Sequence, residues 1–384
     1  MNLSSSLAPA RALAASCLLS VLAGCAQLPV VFDYRPEAVA HGGGEHLVWP
    51  EPPEAPRYRY YGQLIGEENL VTVGEKSRNF LDRGWRWLVG LNEYAETPVI
   101  LQRPQSGAVA ADGRVFVSDV SRQGVYVFDP LKAHLSVWEY AEDAVRFQLP
   151  IGVAIKGDSV LVADAALGYV ALLDGAGKPT ATIGKGVLNH PNGVVWDAVS
   201  NRIYVADRGD NNIKVFDGDS GALLFAFGEF GEREGQLNGP TYMAWHEQQL
   251  FVTDTLNSRI QVFSPDGEFQ RTFGQRGLYV GNLPRPKGVA VDSDGNIYVV
   301  ESYYDYLLVF DRDGRFLLPI GGSGNEVGQF YLPAGVWTDA NDRIYIADMF
   351  NGRVVIFEYL GDGDESDVAE DNSAHLGRAA DGRR

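Results

Sequence analysis

From Pro104 onward the chain alternates apolar and polar residues with a period of two, in short bursts separated by glycine, asparagine and aspartate. Ile297 and Val299, then Leu307 and Val309, are spaced to lie on one face of a strand. Asp294-Gly295 and Asp313-Gly314 fall between such bursts and supply the positive-φ positions of tight hairpins. The pattern therefore predicts antiparallel meanders. It also repeats: "PQSGAVAADGRVFVSD", "PIGVAIKGDSVLVAD", "PNGVVWDAVSNRIYVAD", "PTYMAWHEQQLFVTD", "PKGVAVDSDGNIYVVE" and "PAGVWTDANDRIYIAD" open at prolines 104, 150, 191, 240, 286 and 333. Four strands can be read in a unit, as in "YMAWH", "LFVTD", "IQVFS" and "FQRTFG" of the fourth. A repeat of this length built from short strands predicts an all-β, six-bladed propeller.

The sixth unit lacks a last strand, because "RVVIFEYL" runs into "GDGDESDVAEDN", an acidic stretch that cannot be buried. Upstream, "RYRYYGQLIG" (57–66) is a strand without a unit. It is expected to close the ring as the outer strand of blade six, since an open sheet edge leaves backbone groups unpaired. One 3.6-period stretch stands before blade one. In "KSRNFLDRGWRWLVGL" (76–91), Leu81, Trp85 and Leu88 share a face with Arg78, Arg83 and Arg86 among them, predicting a short helix that covers part of the propeller or lies on a membrane surface.

The repeated phrase, P-x-G-V-A-V-D-x-x-G-x-I-Y-V-x-D-x-x-N-x-R-I-x-V-F, resembles the NHL-repeat family over residues 104–358. That resemblance implies the propeller again. It leaves function open, because propellers host binding modules and enzymes alike.

The N-terminal pattern differs. A charged start, the eleven-residue apolar run "ALAASCLLSVL" and "LAGC" ending at Cys25 form an export signal too short to span a bilayer. "LAGC" resembles the bacterial lipobox, which implies a lipidated Cys25; cleavage near Ala23 with Cys25 as a bystander is the competing reading. The expected layout is a signal peptide at 1–24, a lipidated tether at 25–56, a propeller at 57–360 and a disordered acidic tail at 361–384. Ala26, rather than aspartate, after Cys25 resembles the pattern that sends lipoproteins to an outer membrane, facing the periplasm or the cell surface. Cys17 and Cys25 are the chain's two cysteines, so a mature chain starting at Cys25 forms no internal disulfide.

Composition narrows the partners. The 384 residues are 45% apolar, and 50 acidic against 32 basic residues give a formal charge of -18. Without a basic patch to meet phosphates, nucleic acid is not expected, and a cationic protein or a metal ion suits the charge better.

Candidate chemistry sits where the chain enters each blade, called the top face below. The first strand runs away from it, so the loop between the second and third strands returns to it. Asp119, Asp164, Asp207, Asp254, Glu301 and Asp348 end the second strands there. Such a ring suggests a cation or a basic partner; alternatively each carboxylate caps its own turn, completed by Asn257 and Arg259 in blade four and Asn351 and Arg353 in blade six. Blade five breaks the phrase with "ESYYDY", presenting Glu301, Tyr303, Tyr304, Asp305 and Tyr306 as an aromatic, acidic loop suited to an interface. Arg208 and Asp210 of a nearby loop, with Asn192 and Lys287 just after opening prolines, complete the candidate binding set.

Propeller enzymes that this fold resembles, the amidating lyases and lactonase-like propellers, place metal ligands on the innermost strands. Zinc or calcium would require histidines or carboxylates converging there. The residues after the opening prolines are Gln105, Ile151, Asn192, Thr241, Lys287 and Ala334, and no cofactor is expected. His190 and His246 fall at opposite ends of a blade. "GAGKPT", "DSDGN" and "DRDG" imitate phosphate and calcium loops but belong to hairpin turns. The expectation is a monomeric, non-catalytic scaffold for another envelope protein; a carbohydrate or peptidoglycan binder, and a metal-dependent lyase or lactonase, are the alternatives.

Overall fold

A computed structural model describes residues 29–35, 47–72 and 98–361. The expected helix at 76–91, Cys25 and the acidic tail lie outside them. The described residues form six radial sheets. Blade four is typical: Pro240–His246, Gln249–Asp254, Arg259–Phe263 and Phe269–Phe273 pair antiparallel in chain order. Blades one, two, three and five repeat this from Pro104, Pro150, Pro191 and Pro286.

Burial explains the strand sequences. Second strands such as Ile297–Glu301 are buried at every position because they are covered on both faces, which is why they read as continuous apolar runs. Fourth strands such as Leu223–Phe227 are largely exposed and tolerate mixed composition. The core is divided into wedges between neighbouring blades. Blades five and six, for example, enclose Tyr298, Val300, Ile344, Ile346 and Phe357, while blades six and one enclose Leu64, Val117, Tyr126 and Ile356.

Blade six closes the ring as the strand count requires. Val336–Thr338, Arg343–Asp348 and Arg353–Tyr359 are followed in the sheet by Tyr58–Leu64, with Val354 opposite Leu64 and Tyr359 opposite Tyr58. The segment expected to serve as a tether is partly built into the domain. Val48–Trp49 adds a fifth strand outside Tyr58–Leu64, and the Trp49 indole meets Phe357 edge-on at 5.1 Å. Val30–Phe32 pairs with Leu70–Thr72. Tyr34 rests where Gly62 lacks a side chain: a Cβ there would lie 2.7 Å from the Tyr34 Cβ.

Two short 3-10 turns, Glu67–Asn69 and Thr255–Asn257, are the helical elements among the described residues. No helix among them is long and apolar enough to cross a membrane.

Leu64 is fully buried in the wedge between blades six and one. Leu64→Ala is expected to cost about 2–5 kcal/mol in urea unfolding, the range for a buried leucine truncation. A loss below about 0.5 kcal/mol, the range for surface changes, would mean that the closing strand does not hold the ring.

Candidate functional site

Each blade ends its second strand on a carboxylate, and the structure shows what it does. Asp119, Asp164, Asp207, Asp254 and Asp348 are inaccessible, and Glu301 is 1% exposed. Asp119 accepts from the backbone N–H groups of Gln102 and Arg103, which lead into the blade, and from those of Ser121 and Arg122 in the following turn. Asp164 does the same with Gln148, Leu149, Ala166 and Leu167. Each carboxylate therefore staples the incoming connection to its own turn. They present no anionic ring to solvent.

Blades four and six elaborate the staple identically. The Asn257 amide and the Arg259 Nε each donate to Asp254 at 2.8 Å, and Asn351 and Arg353 repeat this on Asp348. The same arginines donate to carbonyls of the preceding connection, Arg259 to Arg233 and Gln236, Arg353 to Glu326 and Gln329. Burial pushes the Asp348 carboxyl above its ordinary range, opposed by the Tyr331 N–H and the Arg353 guanidinium.

Blade five replaces this network. Glu301 reaches the N–H groups of Arg285, Tyr303 and Tyr304 with its longer side chain. Burial pushes its carboxyl up, those three N–H groups oppose the shift, and nearby Asp305 adds to it. In every blade, this turn needs a residue in the left-handed region. Blade four has Ser258 there at φ 60°, and blade five has Asp305 at the same φ. From that position the Asp305 carboxylate accepts from Ser323 Oγ at 2.6 Å and Leu332 N at 2.8 Å, tying down the connection to blade six. The expected aromatic, acidic loop is therefore aromatic alone at its surface: Glu301 and Asp305 are buried. Tyr303 is 62% exposed and packs edge-on with Tyr304 at 4.8 Å. Tyr306 is half-buried against the wedge between blades four and five.

The remaining candidates separate. Asp210 is held by Lys214, which also bonds Asp207 at 2.6 Å, and by Asn189 at 3.0 Å, so it is not a free ligand. Asn192 and Lys287 lie on the innermost strands at the mouth of the central channel, two blades apart. The Lys287 amine is drawn down to about 8 by burial and by the positive charges of Arg285 and Arg208, which brings Arg208 into the same neighbourhood.

The channel holds a residue whose role the sequence reading missed. Units opening at Pro150, Pro191, Pro286 and Pro333 place a glycine two residues later, where innermost strands meet; blade four places Tyr242 there. Its ring packs with Ile151 and Ala165 of blade two. Its hydroxyl crosses the axis to donate to the Gln105 carbonyl of blade one at 3.2 Å. Burial holds that phenol far above its ordinary range. Tyr242 thus floors the mouth on the top face and roofs a cavity of about 300 Å³, lined by later residues of the six innermost strands. Among the described residues no three histidine, cysteine or carboxylate side chains converge to hold a metal. The mouth offers Gln105, Ile151, Asn192, Thr241, Lys287 and Ala334, with an amine where a cation would sit. These residues do not fit a divalent ion.

The family profile described as SMP-30/Gluconolactonase/LRE-like region matches residues 95–320, and one described as a 6-bladed beta-propeller matches 286–365. Protein brain tumor of Drosophila melanogaster is 37% identical over 120 residues, which is 30% of this chain and 11% of that protein. A structural genomics protein of unknown function from Bacteroides thetaiotaomicron superimposes with a TM-score of 0.53 at 17% identity, covering 67% of this chain and 70% of the other. A gluconolactonase from Xanthomonas campestris gives 0.51 at 18%, covering 69% and 90%. A streptogramin B lyase gives 0.51 at 11%, covering 67% and 94%. At these identities the likeness is one of fold.

Asp254→Ala removes the carboxylate partner of the largely buried Arg259 guanidinium and one hydrogen bond of the Gln261 amide, and is expected to cost about 3–5 kcal/mol in denaturant unfolding. Tyr303→Ala should stay within about 0.5 kcal/mol of the parent, because nothing buried depends on it. Lys287 gives a pH signature. Its folded value, about 8, lies below the unfolded lysine's ~10.4. Between those values the unfolded chain binds more protons, so stability should rise with pH across that window. Thermal melts of Lys287→Met should lose this rise.

Proposed function

The chain belongs to the SMP-30/Gluconolactonase/LRE-like family, and within it we propose a non-catalytic, protein-binding propeller of the cell envelope, anchored by lipid on Cys25 and reading its partner with the top face. The observation that carries this reading is the exposure of large apolar side chains on connections held rigid from beneath. Tyr303 of the blade-five turn is 62% exposed, and Leu278 and Tyr279, in the connection leading into that blade, are 81% and 82% exposed. Tyr331 and Phe350 add a half-exposed aromatic pair with ring centroids 5.5 Å apart. Rigid aromatic anchors on a pre-organised frame lose little entropy on binding, which is how an interface gains affinity from few residues.

The NHL-like phrase and the lipobox-like "LAGC" support the envelope setting, and Ala26 suits an outer-membrane destination. An enzyme reading draws on the family itself, whose fold is shared by the gluconolactonase and the streptogramin B lyase. What weighs against it is the channel, where Tyr242 takes the axis and Lys287 the mouth.

A photoreactive residue in place of Tyr303, irradiated in intact cells, should capture one discrete partner protein. The same probe at Asp313, in a hairpin at the opposite end of the blade, should capture none. Capture of the same species from both positions, or of nothing from Tyr303, would overturn the reading, as would lactone hydrolysis by the purified protein that rises with added calcium or zinc.

A further inference from the structure

The anchor proposed at Cys25 stands close to the first described strand. Ala26, Gln27 and Leu28 separate Cys25 from Pro29, where the described chain begins. An extended chain gains at most ~3.6 Å per residue, so the four steps from Cys25 to Pro29 reach about 14 Å. Of that reach, ~5–7 Å is used in crossing the polar region between hydrocarbon and water. Val30–Phe32 is already tied to the propeller. It pairs with Leu70–Thr72, and Phe32 and Tyr34 pack on the wedge between blades six and one. A lipid on Cys25 therefore holds that side of the ring beside the membrane.

The surface at this place is apolar on both sides. Neighbouring residues of a strand point to opposite faces, so a strand lying on a protein buries one of each pair. Val30 and Val31 are instead 46% and 44% exposed, and Val71, directly opposite Val31, is 38% exposed. The two strands pair with each other and with no third among the described residues. Such a ribbon is marginal in water by itself. Phe32, which meets Tyr34 edge-on at 5.0 Å, secures one end of it to the propeller; the end nearest Cys25 presents valine.

We propose that Val30, Val31 and Val71 form a membrane contact, resting in the polar region of the same bilayer that holds the Cys25 lipid. The proposal rests on the lipid anchor put forward above and adds an orientation to it. The acyl chains fix the protein to the surface, and the valines, a few residues away, add buried apolar area at the same spot. The wedge between blades six and one then faces the membrane. Blades three and four, across the ring, lie on the side away from it.

A mature chain starting at Cys25 carries no other cysteine, so single nitroxide labels can be placed through Val31→Cys and, as the reference, through Val199→Cys in an exposed hairpin of blade three. Each full chain is made with its own leader, and the mass of the mature protein reports whether Cys25 is acylated. In vesicles of phosphatidylethanolamine and phosphatidylglycerol, the label at position 31 should be relaxed more by oxygen, which concentrates in lipid, than by a water-soluble nickel chelate. The label at position 199 should show the reverse order. Adding Val30→Asp and Val71→Asp should return the label at position 31 to the nickel chelate, with acylation and the circular dichroism spectrum unchanged. An acylated chain whose label at position 31 stays with the nickel chelate overturns the valine contact and leaves the anchor standing. A mature chain without acyl groups overturns both. A label at position 31 sheltered from both relaxants, in vesicles and in detergent alike, means that protein covers the valines, residues 73–97 of this chain being the nearest source, and overturns the contact as well.

Discussion

A buried carboxylate that accepts hydrogen bonds both from the incoming connection and from its own turn is the constraint on which the rest of this propeller depends. At the end of each second strand the chain must join three things: its own tight turn, the connection arriving from the previous blade, and the first residue of the innermost strand. The backbone amides that meet there need an acceptor, and the buried carboxylate supplies it. Aspartate is short enough to do so without leaving a void. Because the same group serves the turn and the connection, the loops of the top face are fixed relative to the blades that carry them. An otherwise expensive buried charge is made tolerable by three or four donors.

Blade five shows how the device can be altered without being lost. Lengthening the carboxylate to Glu301 keeps the backbone donors, while the asparagine and arginine positions become Tyr304 and Tyr306. The connection those residues would have clamped leads in from blade four; Asp305 instead reaches forward and ties down the connection to blade six. The turn is thereby freed to carry an aromatic surface, and its stiffness is retained.

Much of this was legible because it is local. The Asp254, Asn257, Arg259 spacing is a phrase within one turn, and the assignment of residues 57–66 to blade six followed from counting strands against units. Val48–Trp49 was not legible, since two residues beside "WPEPPEAP" carry no period and gain meaning only from the edge they cover. The burial of Glu301 and Asp305 was missed for a different reason. A carboxylate in a loop reads as surface until the connections that fold over it are placed, and those connections come from other blades. Tyr242 did leave a signal, a large residue where four sibling units have glycine, but its consequence depends on the radius of the ring, which no single unit contains.

The closing strand also sets an order of events. Tyr58–Leu64 is among the first parts of the domain to be made, and its partner, Arg353–Tyr359, is among the last. Until nearly the whole chain is available, the early segment has no sheet to join. Closure of the ring is a pairing of high sequence separation, which must wait for the final residues. A chain cut short anywhere before blade six therefore leaves Tyr58–Leu64 without the strand it pairs with, whatever the point of truncation.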